Sequence, residues 1–149
     1  MIWGLKEALM GKRRVRLPRS RVKIRANYCC EYCKSQENLS SSPFSIDHII
    51  PLAKNGTNDL DNLALACPGC NNHKFTHTQA LDPVSGEIVP LFHPRQQEWT
   101  QHFKWSSDYS TMIGLTPTGR VTIIRLKLNR DYLVNLRKAL FLTGQHPPF

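Results

Sequence analysis

Short apolar runs alternate with polar turns along the chain, and the clearest pair of runs lies in its first half. The segment FSIDHIIPL (44–52) predicts a short strand, and LALAC (63–67) predicts a second strand that returns beside it. Between them, AKNGTNDLDN predicts a loop with a turn at Asn55-Gly56. The segment NNHKFTHTQAL that follows Cys70 lacks Gly and Pro and predicts a helix. The predicted order is therefore strand, loop, strand, helix.

The second half of the chain predicts a packing extension. DPVSGEIVPLFHPRQQ indicates a loop or short hairpin, and EWTQHFKW places three aromatic residues near one helical face, namely Trp99, Phe103 and Trp105. YSTMIGLT and RVTIIRLKL bracket PTG and predict two strands joined by a tight turn. RDYLVNLRKALFLTG predicts an amphipathic helix with Asn129 as its N-cap and Gly144 past its end. Its expected buried stripe comprises Tyr132, Leu133, Leu136, Ala139 and Leu140.

The charge of the chain bears on its partners more than on its fold. Lys and Arg number 20 against 11 Asp and Glu, for a formal net charge of +9 in 149 residues. A positive field attracts polyanions, so nucleic acid is the first expected partner. Residues 12–25 are basic without a single acid and can neutralise phosphates, although a solvated helix face or a tail has the same pattern. The expected DNA-binding residues of this run are Lys12, Arg13, Arg14, Arg16, Arg19 and Arg21.

Hydropathy and the order of the charges argue against a membrane-spanning or secreted protein. No stretch approaches the roughly 18 consecutive apolar residues of a membrane span. In MIWGLKEALMGKRR the charges follow the apolar residues, which is the reverse of a secretory signal. The chain is therefore expected to be soluble and cytoplasmic, with no membrane partner.

The five cysteines fall as CCEYC and CPGC, which is the spacing of a metal site. Two C-x-x-C pairs separated by a loop can close a tetrahedral zinc site, and we assign Cys30, Cys33, Cys67 and Cys70. Reduced thiols or a redox pair remain the alternative, as does a shifted pairing that uses Cys29. Four protein ligands leave no open position for substrate, so this zinc is structural and any catalysis lies elsewhere.

Polar side chains that zinc does not require lie between and after these pairs. Asp47 and His48 are adjacent in the first strand and must point to opposite faces unless the strand bulges or ends there. His48 can act as a base near neutral pH, while the carboxylate of Asp47 and the amide oxygen of Asn71 are hard ligands for magnesium. Asn62 can hold the loop through backbone hydrogen bonds or orient the ring of His48.

These residues together, as CEYC…IDHIIPL…NLALACPGCNNHK, closely resemble the HNH endonucleases, over roughly residues 27 to 78. The first His of the family motif falls on His48, its central Asn on Asn62 and its last His on Asn71. The resemblance implies a general base at His48, catalytic metal ligands at Asp47 and Asn71, and a loop organiser at Asn62. It implies a structural zinc site in the cysteines, and it suggests a phosphate contact for Lys74.

The resemblance implies an α+β protein with a zinc-stapled ββα-metal core. We divide it into a basic N-terminal helical region (1–26), the nuclease core (27–78) and a C-terminal β-hairpin plus helix extension (79–149), all in one structural domain. The expected function is hydrolysis of phosphodiester bonds in DNA by a water that His48 activates, leaving a 5′ phosphate. The alternative is a non-catalytic zinc-ribbon-like nucleic-acid-binding module, which accounts for the cysteines and the charge but not for Asp47, His48 and Asn71.

The catalytic ion is expected to be Mg²⁺, with Mn²⁺ or Ni²⁺ as alternatives. One core would nick one strand of double-stranded DNA, so cutting both strands requires a dimer or two encounters. His73 and His77 share a face of the predicted helix and one of them is a candidate for contact with the phosphate or the metal. The family alone does not define the biological role or the preferred base sequence.

Overall fold

The structure is a computed structural model that describes residues 15–149. This part of the chain has five α-helices and six short strands. The helices are α1 (Arg19–Arg25), α2 (Pro68–Lys74), α3 (Trp99–His102), α4 (Pro117–Leu126) and α5 (Asp131–Leu142). The strands are β1 (Ser45–His48), β2 (Leu63–Ala66), β3 (Gln79–Leu81), β4 (Ile88–Pro90), β5 (Phe103–Trp105) and β6 (Met112–Gly114). They pair consecutively as three antiparallel two-stranded sheets.

The predicted strand, loop, strand and helix are confirmed as β1, β2 and α2. In the β1–β2 register Asp47 lies opposite Ala64, and all four residues of β2 are buried, as its continuous apolar run indicates. The loop reverses at Asn55, which has a positive φ of 66°. A Cβ on Gly56 would lie 1.7 Å from the carbonyl oxygen of Ile50, so only glycine fits there. The structure therefore closes this loop tightly against the end of β1.

The helix after Cys70 is shorter than predicted. α2 begins at Pro68, with the Cys67 sulfur as its N-cap acceptor, and it ends at Lys74. Phe75 has a φ of 49° and leaves the helix, and the following residues turn into β3. The prediction that His77 lies on this helix was wrong, because the helix ends at Lys74 and the chain then turns toward residues 79–81, which pair with β4 in a hairpin.

The predicted strand RVTIIRLKL was also wrong, since this segment lies mostly in α4. Its β-branched residues favour a strand, but Thr116 accepts a hydrogen bond from the Gly119 amide at 3.0 Å, and Pro117 follows as the first helical residue. The helix also buries Val121 and Leu126 completely. The C-terminal β-hairpin exists, but it consists of β5 and β6, and two helices follow it.

The last predicted helix is confirmed as α5, with Gly144 beyond its end at a φ of 73°. Its N-cap is Arg130, because Asn129 is engaged elsewhere: its side chain accepts from the Met112 amide and donates to the Met112 carbonyl. Asn129 thereby attaches β6 to the turn before α5.

The predicted buried stripe of α5 was only partly correct. Leu133 is buried and Leu136 and Leu140 are half-buried, but Tyr132 and Ala139 are exposed. The interior position goes instead to Arg137, which donates to the carbonyl oxygens of Ser110 and Leu128 and lies over the Trp105 ring. A buried arginine that satisfies backbone carbonyls is invisible to a search for apolar stripes.

The aromatic residues of EWTQHFKW pack together although they do not share a helix. α3 ends at His102, and Phe103 and Trp105 belong to β5. The ring centroid of Trp99 still lies 5.3 Å from that of Phe103 and 5.4 Å from that of Trp105. The three rings therefore belong to the packing of the molecule, as expected.

One cluster of buried apolar side chains runs through the described residues from Val22 to Leu133. It joins β1, β2 and α2 to the extension, whose Leu91, Phe103 and Val121 are members. Among residues 15–149, no helix combines the length and apolar character that crossing a membrane requires.

Candidate active site and metal centre

The four buried cysteines of the two C-x-x-C pairs converge at one place in the structure. Cys30 and Cys33 come from the turn after α1, and Cys67 and Cys70 come from the start of α2. Their sulfur atoms all lie within 4.8 Å of one another, and the Sγ atoms of Cys33 and Cys67 are 3.7 Å apart. A tetrahedral zinc site with Zn–S bonds of about 2.3 Å has sulfurs about 3.8 Å apart. The predicted cluster is confirmed, and its dimensions fit one Zn²⁺.

The spare cysteine lies outside this cluster. Cys29 is buried, and its Sγ contacts the carbonyl oxygen of Asn27 at 3.4 Å. Its backbone forms an isolated bridge with Gln36. The shifted pairing through Cys29 is therefore not the one that the fold assembles.

Arg130 covers the sulfur cluster from the extension. Its guanidinium donates to Cys67 Sγ at 3.5 Å and to Cys70 Sγ at 3.7 Å. Four thiolates around a divalent ion leave an excess of negative charge, which a cation at this distance offsets. This contact could not be predicted from the sequence, because Arg130 lies 60 positions from Cys70 and no local pattern connects the two.

His48 stands at the end of β1 with its side chain half-buried. Its Nε2 atom lies 2.8 Å from Oδ1 of Asn58, in the loop before β2. An amide oxygen only accepts hydrogen bonds, so this contact places the ring proton on Nε2 and leaves the lone pair on Nδ1. Asn58 was missed because NGTNDLDN reads as a turn, and nothing in that pattern distinguishes one Asn from another.

Asn62 holds the loop and does not contact His48. Its Oδ1 accepts from the Ile50 amide at 2.9 Å, while its Nδ2 donates to the carbonyl oxygens of Ile50 at 3.0 Å and Thr57 at 2.8 Å. The side chain is 7% exposed. Of the two roles considered for Asn62, the structure supports the first, and Asn58 takes the second.

Asp47 points to the face opposite His48, as the alternation of a strand requires. Its side chain is 4% exposed, and its oxygens accept from the Tyr32 hydroxyl at 2.6 Å and from Lys74 Nζ at 3.1 Å. Burial raises the pKa of the Asp47 carboxyl, while the positive charge of Lys74 opposes that rise. Both oxygens of Asp47 are thus engaged within the protein.

Lys74, for which the resemblance suggests a phosphate contact, is engaged within the protein. The residue is 1% exposed, and besides Asp47 its Nζ donates to the carbonyl oxygens of His48 at 3.1 Å and Ile49 at 3.0 Å. An ammonium group has three donors, so these contacts use all of them. The lysine therefore stabilises the end of β1, and its ammonium group has no donor left for a phosphate.

Asn71 follows Cys70 directly on α2 and is half-buried. Its side chain has no hydrogen bond to any described residue, so its amide oxygen is available to a ligand. His73 and His77 do not share a helical face, because α2 ends at Lys74. Both histidines are half-buried, one on α2 and one beyond its end.

The N-terminal basic run is described only in part. Lys12, Arg13 and Arg14 lie outside residues 15–149. Arg16, Arg19 and Arg21 are exposed, and the last two lie on α1. Arg19 also donates to the carbonyl oxygen of Phe44 at 3.2 Å, so this helix is anchored beside β1.

Comparison with known families identifies the segment that carries these residues. Residues 30–76 match the model of the family described as HNH endonuclease. This segment is an HNH domain. The HNH domain contains both cysteine pairs, His48, Asn62 and Asn71. Comparisons with curated proteins and with solved structures gave no significant match. The family that this segment matches is one of nucleases, which act on nucleic acid.

Proposed function

We propose that this protein is a metal-dependent endonuclease that hydrolyses phosphodiester bonds in double-stranded DNA. The observation that carries the proposal is the hydrogen bonding of the His48 ring in the HNH domain. Its Nε2 is held by Asn58, and its Nδ1 has no hydrogen bond to any described residue. A half-exposed imidazole with an oriented, free lone pair is suited to take a proton from water.

His48 acts as the general base in this proposal. Its Nδ1 accepts a proton from a water molecule, and the resulting hydroxide attacks the phosphorus atom. The bond from phosphorus to the 3′ oxygen breaks, that oxygen takes up a proton, and the 5′ phosphate remains on the other fragment. Asn62 contributes indirectly, because it fixes the loop that carries Asn58.

The proposed ligands of the catalytic ion are Asn71 and Asp47. The amide oxygen of Asn71 fits this role, since it is a hard donor without a partner among the described residues. The carboxylate of Asp47 fits only if the ion replaces the Lys74 ammonium, which now neutralises it. A bound Mg²⁺ or Mn²⁺ would supply Lewis-acid stabilisation of the charge that develops on the phosphate and the leaving oxygen.

The proposal also assigns roles to a structural zinc ion and to the positive charge of the chain. Zn²⁺ in the sulfur cluster would hold the turn of Cys30 and Cys33 against the start of α2, which carries Asn71. The net charge of +9 and the exposed Arg16, Arg19 and Arg21 support DNA as the substrate, because they attract its phosphates.

The experiment is plasmid cleavage by zinc-loaded protein. Supercoiled DNA is incubated with the parent protein, with His48→Ala and with His102→Ala, each with Mg²⁺, with Mn²⁺ and without added divalent ion. His102 is a matched control, because it is also a half-buried histidine with one side-chain hydrogen bond, at 2.6 Å to Thr116. We expect metal-dependent nicking by the parent and by His102→Ala, and none by His48→Ala. Normal cleavage by His48→Ala would refute the mechanism.

One observation favours the non-catalytic alternative. Lys74 and Tyr32 already satisfy the carboxylate of Asp47, as they would in a domain that binds nucleic acid without an ion. Under this alternative neither the parent nor His48→Ala cuts DNA or RNA, while both retard DNA in a gel. The plasmid experiment therefore separates the two functions.

A further inference from the structure

The extension packs α4 alongside α2, and one side chain fixes the end of α4 there. The guanidinium of Arg130 donates to the carbonyl oxygens of Leu126 at 3.3 Å and Lys127 at 3.1 Å, where α4 ends. The same group reaches Cys70 Sγ at 3.7 Å, at the start of α2. The C-terminal end of α4 is therefore attached to the helix that carries Asn71.

This attachment places two further cations beside the HNH domain. Arg125 lies in the last turn of α4, and Lys127 caps the helix with a φ of 50°. Lys127 is exposed, and the buried Nε of Arg125 has no hydrogen-bond partner in the described part of the chain. The four ion pairs found within residues 15–149 involve other cations, namely Lys23, Lys74, Arg95 and Arg120. The positive charge at the end of α4 is uncompensated by any of these pairs.

His77, just beyond the end of α2, lies near cations from two parts of the chain. Burial, followed by Arg125 and Lys54, lowers the pKa of His77. Lys54 is exposed in the loop between β1 and β2, so His77 is near cations from that loop and from the extension. The loop between β1 and β2 and the end of α4 thus contribute cations to one surface.

We propose that this surface, consisting of Lys54, Arg125 and Lys127 and here called the α2–α4 basic surface, binds the phosphate backbone of duplex DNA next to His48. The proposal rests on the proposed function, for which it supplies a substrate-binding face that the N-terminal run does not include. Duplex DNA presents one negative charge per about 1.7 Å of its axis, so unpaired cations from the loop and from the end of α4 complement it. Such contacts position the duplex without reading bases.

The test compares two doubly substituted proteins with the same change in net charge. Arg125→Gln/Lys127→Gln removes two cations from the α2–α4 basic surface, and Lys104→Gln/Lys138→Gln removes two exposed cations from β5 and α5. Both are made in a His48→Ala background so that a fluorescent duplex stays intact. Anisotropy titrations over a series of salt concentrations measure affinity and its salt dependence.

We expect the first double variant to bind more weakly and to reduce the magnitude of the negative slope of log K against log salt by about 1.8, because each phosphate contact contributes about 0.9. The control pair should keep the parent slope. Because Arg125 is half-buried, the exposed pair Lys54→Gln/Lys127→Gln provides a second comparison with the same expected change. Equal slopes for the surface and control variants would overturn the proposal, and so would an absence of DNA binding by the parent.

The salt slopes and the plasmid experiment together distinguish failure of this surface from failure of the nuclease proposal. If the slopes change as expected but protein with intact His48 does not nick plasmid, the surface stands and the catalytic role falls. If plasmid is nicked and the slopes do not change, the catalytic role stands and the surface is overturned.

Discussion

The ammonium nitrogen of Lys74 lies 3.1 Å from each carboxylate oxygen of Asp47, and both side chains are almost fully buried. The pair joins α2 to β1 from inside the molecule, and the same nitrogen binds the carbonyl oxygens of His48 and Ile49. The position of His48 therefore depends on a charge pair on the far side of its strand.

Replacing Lys74 by Met should destabilise the zinc-loaded protein by about 3–5 kcal/mol, because it leaves a buried carboxylate without its cation. Urea denaturation at constant zinc measures this loss. The double variant Lys74→Met/Asp47→Asn should recover part of it. Lys54→Met is the control, since Lys54 is exposed and a surface substitution changes stability by about 0.5 kcal/mol or less. Parent-like stability of Lys74→Met would show that the pair is not important for folding.

The Lys74→Met variant also tests whether Asp47 can accept a divalent ion. With the ammonium removed, Mg²⁺ or Mn²⁺ can neutralise the carboxylate, and an ion that binds only the folded state raises stability. We expect added divalent ion to shift the urea midpoint of Lys74→Met more than that of Lys74→Met/Asp47→Asn. Identical shifts in the two variants would remove Asp47 from the proposed ligands.

Asn58→Ala should reduce the rate of DNA cleavage by about 10–100-fold, as is typical when the hydrogen-bond partner of a functional histidine is lost. Asn58 is a positioning residue, so the loss should appear in kcat with little change in KM. Asn58→Asp keeps an oxygen acceptor for Nε2 and should retain most of the activity. An Asn58→Ala protein with the parent kcat would show that the ring does not need this contact.

The cysteine cluster predicts that substituting one of its four cysteines has a different effect from substituting Cys29. Cys67→Ser should lose zinc and lower the stability of the fold, whereas Cys29→Ser should retain both, because Cys29 is outside the cluster. Elemental analysis of dialysed protein, together with urea denaturation, measures the two effects. Loss of zinc from both variants, or from neither, would contradict this ligand set.

The ion pair of Asp82 with Arg120 predicts a dependence of stability on pH. Two hydrogen bonds of 2.8 and 3.0 Å from Arg120 hold the pKa of the buried Asp82 carboxyl well below its usual range. The pair therefore contributes its full stabilisation above the unfolded pKa of about 3.9, and this is lost as the pH falls toward the folded value.

Asp82→Asn should accordingly be less stable than the parent at neutral pH, and the difference should shrink below about pH 4. Denaturation midpoints measured at several pH values test this expectation. Glu87→Gln is the control, since Glu87 is an exposed acid in the same hairpin. A difference between parent and Asp82→Asn that stays constant with pH would refute this assignment.

Local spacing was sufficient to predict the centre of the molecule. Two C-x-x-C pairs and two apolar runs lie within a short stretch of chain, and each contains its own turn or strand signal. The alternation of a strand also predicted that Asp47 and His48 face opposite sides. These features depend on neighbours in sequence, which is why they could be read without the fold.

Contacts distant in sequence could not be predicted in this way. α4 contains β-branched residues that favour a strand, and only its cap and its burial against the rest of the fold make it helical. Arg130 reaches sulfur atoms 60 positions away, and Lys74 neutralises an acid 27 positions away. Each partner was visible in the sequence, but the pairing depends on how the elements pack.

The guanidinium of Arg130 also limits how far the HNH segment can be treated as a transferable module. A graft of residues 30–76 into another scaffold would carry all four sulfur atoms but not the cation that lies 3.5 Å from Cys67. Such a chimera would leave the thiolate charge less compensated and the cluster open on the side that α4 and α5 now cover. A host scaffold would need an arginine at the same place, so the smallest portable unit of this fold extends at least to residue 130.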